Sequence, residues 1–170
     1  MPIVRTRPAR PARPAVPVSS TFAALDDTHR QIARMLADLD RLPSLLAGPD
    51  GAAEAAALAE RACRFFNGAA RQHHETEETV VFPSLLGGAD AGLLALVRRL
   101  QQDHHWIEED WLELEPHLQA VAQGWRDDHV DFLRAALPEF TALQHEHIAL
   151  EESVIYPEAR LRQQAQDTPA

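Results

Sequence analysis

The chain contains no lysine, and cysteine occurs once in its 170 residues. A single thiol, Cys63, excludes an intramolecular disulfide and a thiolate metal cluster, and nothing in it forbids a reducing cytoplasm. No apolar run is long enough to span a membrane. The first 18 residues are rich in proline and arginine and have no apolar h-region, so they are not read as a secretory signal. Sustained period-2 alternation is missing too, which argues against strands. With a net charge of −10, the chain is a poor match for nucleic acid. These absences predict a cytoplasmic protein without a membrane or nucleic-acid partner.

What is present is a globular composition, 45% hydrophobic and 25% charged, of a length that suits one domain with a sizeable core. The acidic balance also suits a site that must neutralise bound cations. Residues 1–18, with four arginines, are read as a flexible, polyproline-like tail or as a segment that docks to an acidic partner. Residues 19–163 are read as the folded unit, and 164–170 as a second tail. Four amphipathic helical segments fill that unit. The first runs from about Ser20 to Leu42, with a stripe of Leu25, Ile32, Leu36 and Leu39, and stops at Pro43. The second starts near Asp50 and carries Leu58, Ala62, Phe65, Ala69, His73, Thr76 and Val80 until Pro83 and Gly87-Gly88 end it. The third starts near Asp90, carries Leu93, Val97, Leu100, His104, Ile107 and Trp111, is weakened by Pro116 and closes at Gly124. The fourth starts near Asp127 and carries Phe132, Leu133, Phe140, Leu143, His147, Leu150 and Val154, with Pro138 expected to kink or divide it. Short connections between four such helices predict an all-α, up-down-up-down four-helix bundle.

Within this pattern one motif occurs twice. Residues 73–83 read HHETEETVVFP and residues 147–157 read HIALEESVIYP, both His-x-x-x-Glu-Glu-(Thr/Ser)-Val-(Val/Ile)-(Phe/Tyr)-Pro. A His and a Glu four apart share one helix face. The repeat extends further, since His29 stands 44 positions before His73 and His104 stands 43 before His147. The chain therefore reads as two helical hairpins, each with one lone His and one His-x-x-x-Glu. Burying four imidazoles and two carboxylates with no common partner would cost several kcal/mol per charged group. A pair of cations removes that cost. Imidazole and carboxylate together favour iron or manganese, with zinc also admissible.

The candidate metal ligands are His29, His73, Glu77, His104, His147 and Glu151, with Glu108, four residues after His104, as a further candidate. Glu78 and Glu152 are rotated by about 100° from their neighbours and are expected to face solvent or to support the ligands from behind. His74, His105, His117, His129 and His145 fall off the stripes and are expected at the surface. Cys63 reads as a small hydrophobe, and Trp106, Trp111, Phe65 and Phe66 as core residues, some of which could line a ligand channel.

These residues, with the hydrophobic-aromatic-Pro ending after each Glu, resemble the hemerythrin-like (HHE) cation-binding domain over about residues 20–160. The resemblance implies a non-haem di-iron centre: two Fe ions, with Zn or Mn as substitutes, bridged by two carboxylates and an oxo or hydroxo group. It makes His29, His73, His104 and His147 terminal ligands and Glu77 and Glu151 bridges. The oxygen-carrying members have His-x-x-x-His in the third helix and an Asp in the fourth. Here Glu108 stands at the second His position and Glu151 has a different spacing, so one imidazole is missing. Bacterial relatives of this type are associated with oxygen, nitric oxide or peroxide chemistry and with iron homeostasis. The expectation is a protein, monomeric or weakly homo-oligomeric, that binds or senses O2, NO, peroxide or iron status, with azide as an exogenous ligand. The alternatives are a di-iron peroxidase or catalase-like enzyme and a zinc-occupied structural bundle. No sequence feature marks a separate organic-substrate pocket.

Overall fold

A computed structural model describes residues 18–48, 50–124 and 129–167, and no strand occurs among them. The segment read as an N-terminal tail lies, up to residue 17, outside the described residues, as does Asp127. Helix α1 spans Val18–Leu39 and short α2 spans Leu42–Ala47. A long run follows: α3 (Ala52–Phe65), a π-helical turn (Phe66–Ala70), α4 (Arg71–Thr76), a second π turn (Glu77–Val81) and α5 (Phe82–Leu86). Helix α6 spans Ala91–Ala122, α7 spans Val130–Leu150, a third π turn covers Glu151–Ile155, and α8 spans Tyr156–Asp167. No described helix is long and apolar enough to cross a membrane.

Several punctuation residues act differently from their sequence reading. Pro43 does not stop the first helix but occupies the first turn of α2, where its missing N–H is not needed. Pro83 likewise enters α5, which continues to Leu86. Pro116 and Pro138 lie inside α6 and α7, and neither helix is divided. Asp90 starts α6 as expected, accepting from the Leu93 N–H at 2.8 Å. Gly124 follows that helix with φ +89°, a conformation glycine adopts without strain. The C-terminal tail expected from residue 164 is helical through Asp167.

Helices α3 and α6 pack together, as do α6 and α7, and α1 contacts both α3 and α7. The result is a helical bundle with two apolar cores. One holds Ile32, Leu36, Leu58, Phe66, Ile107, Trp111, Leu133 and Phe140. The other holds Phe22, Leu25, Val81, Phe82, Leu100, Ile155 and Tyr156. Each fully buried side chain of this kind contributes about 1.5–3 kcal/mol. Arg160 holds the second core shut, donating to both carboxylate oxygens of Asp26 at 2.7 Å with its guanidinium over the Phe22 ring.

Between the two cores lies a polar layer. His29 stands between Leu25 and Ile32, His104 between Leu100 and Ile107, and His73 with Glu77 between Ala70 and Val81. His147 and Glu151 stand between Phe140 and Ile155. The buried stripe slips by one residue at the π turns. Val81 and Ile155 are buried, whereas Val80 and Val154, the residues expected there, are 43% and 37% exposed. A π turn takes in one more residue than an α turn, so a 3.6-residue count carried through it falls one position short.

Candidate metal centre

Six buried residues from four parts of the chain meet in this layer: His29, His73, Glu77, His104, His147 and Glu151. Their donor atoms form two groups, within each of which one ligand atom per residue lies within 4.8 Å of all the others. The first group is His29, His73, Glu77 and Glu151, and the second is His74, Glu77, His104 and His147.

The carboxylates stand between the groups. Glu77 Oε2 lies 3.4 Å from His73 Nε2 and 3.4 Å from His104 Nε2. Glu151 faces His29 Nε2 with Oε2 and His147 Nε2 with Oε1, each at 3.1 Å. The sequence repeat appears here as backbone geometry, because Glu77 and Glu151 each open a π turn, a feature common at functional sites.

The second Glu of each repeat reaches a neighbouring helix. His104 donates from Nδ1 to Glu78 Oε1 at 2.9 Å, and His29 from Nδ1 to Glu152 Oε1 at 3.0 Å. A carboxylate on Nδ1 fixes the ring's orientation and turns Nε2 into the layer, where His104 Nε2 lies 3.1 Å from His147 Nε2. His147 Nδ1 faces buried Asp103 Oδ2 at a longer 3.8 Å. Asp103 has no counterpart in the doubled motif, and only its place one residue before His104 hinted at it.

Two residues depart from the sequence reading. His74, expected at the surface, turns into the second group and stacks on His104 at 4.3 Å between ring centroids. Glu108, a candidate ligand, is outside both groups. Its half-exposed carboxylate pairs instead with Arg71 at 3.0 Å. His74, beside His73, thus brings a third imidazole to the second group. Of the other off-stripe histidines, His105 is exposed and pairs with Glu109. His117 is stacked on Phe132 at 3.8 Å and hydrogen-bonded to His129. Trp106, expected in the core, is 50% exposed. Cys63 is half-buried, and burial pushes its thiol pKa up to about 11.

Tyr156 was missed as a site residue. Its hydroxyl donates to Glu77 Oε1 and lies 3.2 Å from His29 Nε2. Its ring stacks on His29 at 5.1 Å with an interplanar angle of 7°. Phe82, at the same place in the other repeat, stacks on His104 at 5.6 Å and 18° but brings no hydroxyl.

The electrostatics suit cations. Burial pushes the His73 imidazole down to about 4 and lowers His74 as well, aided by the neighbouring His104. Both shifts favour the neutral ring, the form that ligates a metal. Burial, reinforced by the Glu77 charge, raises Glu151 to about 8. Burial also opposes the charge on Glu77, but the neighbouring His104 imidazole outweighs it and holds that carboxyl below its ordinary range.

Many of these atoms have no hydrogen bond: both nitrogens of His73, His74 Nε2, Glu77 Oε2, Asp103 Oδ2, His147 Nδ1 and both oxygens of Glu151. Leaving a buried polar group unpaired costs about 1–3 kcal/mol. Orphaned atoms on His73, His74, Glu77 and Glu151 belong to the two donor groups, so this donor set fits metal ions. Beside the second group a cavity of about 580 Å³ opens between α4 and α6 and reaches His74, His104 and Gln144.

Residues 20–159 match the family model of the Hemerythrin HHE cation binding domain, and the chain belongs to that family. It is similar to an uncharacterized protein of Haemophilus influenzae (strain ATCC 51907 / DSM 11121 / KW20 / Rd), at 28% identity over 124 residues, covering 73% of this chain and 70% of that protein. No solved structure matches.

Proposed function

We propose that this up-down-up-down bundle holds two iron ions, one in each donor group, and binds or senses O2, NO, peroxide or iron status at the pair. His29 and His73 serve the first ion, and His74, His104 and His147 the second. Glu77 and Glu151 would be shared between them. The observation that carries this reading is the placement of the two carboxylates. Glu77 belongs to both groups, and the two oxygens of Glu151 face one group each. Imidazole and carboxylate donors without thiolate suit iron; zinc or manganese could replace it in the same donors. When bound, iron would supply redox chemistry and affinity for small oxygen- and nitrogen-donor ligands.

The chain's own residues would prepare the place. Glu78 and Glu152 orient His104 and His29, and Tyr156 presents a hydroxyl to the first position. The two apolar cores close the layer from either end, and the cavity is its opening beside the second group. Glu108 is not a ligand in this reading, since its carboxylate pairs with Arg71 at 3.0 Å. A second reading, a di-iron peroxidase-type enzyme, gains support from the cavity, which would admit molecules larger than a diatomic to the second position.

The test is elemental analysis of protein loaded anaerobically with iron, followed by thermal melting with and without metal. Two ions per chain are expected, and one or none would overturn the reading. Free metal at roughly a thousand times Kd stabilises by about 4 kcal/mol. For a chain of this size that raises Tm by on the order of 10 °C. Equal melting of the metal-free and loaded forms would place any bound metal away from this layer.

A further inference from the structure

Gln144 is fully buried, and neither its Nε2 nor its Oε1 has a hydrogen bond. It stands three residues before His147, on the same face of α7, and it lines the 580 Å³ cavity. A buried amide with no partner calls for an explanation, and here the residue forms part of the cavity wall.

The cavity is far larger than O2, NO or peroxide requires and falls within the range of about 300–1,000 Å³ typical of organic-ligand pockets. Its inner wall is apolar and aromatic, with Phe66, Ile107 and Trp111. The Trp111 indole N–H already donates to Asn67 Oδ1 at 2.7 Å, so that side chain has only its ring to offer. The mouth carries Glu75, Glu78, Glu108 and Glu115 against Arg71, and Arg71 is already paired with Glu108. Such a mouth repels anions.

We propose that this cavity is a binding site for a small neutral aromatic alcohol of the phenol class, with Gln144 as its polar anchor. A phenol hydroxyl can donate a hydrogen bond to the amide's free oxygen. Its ring meets Phe66 and Trp111. The proposal goes beyond the metal reading and needs no metal, since protein side chains form the whole pocket.

The experiment is calorimetric titration of the full-length, metal-loaded protein with phenol, with benzoate as the anionic control. Metal content is measured in parallel, and the titration is repeated after metal removal. Saturable binding of one phenol per chain is expected, at least tenfold tighter than benzoate. Gln144→Met should weaken it at least tenfold with metal content unchanged. That variant trades an unpaired amide for an apolar chain of similar length, so its Tm should be kept or raised. If Gln144→Met does not fold, Gln144→Leu also removes both polar amide atoms and should likewise lose phenol. The absence of saturable heat, which a cavity holding only water would give, overturns the proposal. So does equal affinity in the wild type and the variants, or benzoate binding as tightly as phenol. Gln144-dependent phenol binding in a protein that binds one ion or none would sink the metal reading and leave this one standing.

Discussion

The two halves of the polar layer come from one repeated motif, and they differ in ways the motif does not show. Each half has a Glu opening a π turn, an aromatic ring stacked on a lone His, and a second Glu on that His's Nδ1. In the first half, all four donor residues are buried and Tyr156 adds a hydroxyl. In the second half, Phe82 replaces the tyrosine, His74 adds a third imidazole, and a cavity adjoins His74 and His104. Repetition accounts for two ligand sets, whereas single substitutions and the surrounding helices distinguish them. Only the second half borders this cavity.

The largest expected effect removes what the halves share. Glu77→Ala should abolish both metal positions, reducing the metal content of iron-loaded protein from two ions to none. Glu78→Ala, one residue on, should keep both ions and weaken affinity by about 10–100-fold, the usual cost of losing a carboxylate behind a ligand histidine. The reverse ranking in metal analysis would show that the two glutamates have exchanged roles.

His74→Ala acts on one half only. Metal analysis should find one ion retained by the first group and the second lost. Retention of both ions would return His74 to the role of a buried neighbour. Tyr156→Phe makes the halves alike. It removes a hydrogen bond to a buried carboxylate, worth about 1.5–3 kcal/mol, so the metal-free protein should melt about 3–12 °C lower. An unchanged Tm would mean that Glu77 does not depend on that hydroxyl. The smallest effect belongs to Glu108→Ala. An exposed ion pair contributes about 0–1 kcal/mol, so Tm should fall by no more than about 4 °C and metal content should not change. Loss of an ion in this variant would restore Glu108 as a ligand.

The sequence by itself determined the helical class, the polar layer and the six residues that meet in it. Both signals are local: the period of the apolar residues and the four-residue step from His to Glu depend only on the pitch of a helix. Tertiary structure decided the rest. His74 and Glu108 show why. A stripe count allots one residue per turn to the core, yet where several helices converge, two adjacent residues about 100° apart can both border the same cluster. Glu108 has the same spacing from its His as Glu77 and Glu151, but spacing sets a direction on one helix and does not say what waits there. For Glu108 it is Arg71 from α4. The slip from Val80 to Val81 and from Val154 to Ile155 follows from π turns, which a count of 3.6 cannot register. Gln144 reads in sequence as an ordinary polar residue. Its buried, unpartnered amide and the cavity before it exist only once α4, α6 and α7 are packed, because a cavity is a property of the space between helices and no single segment encodes it.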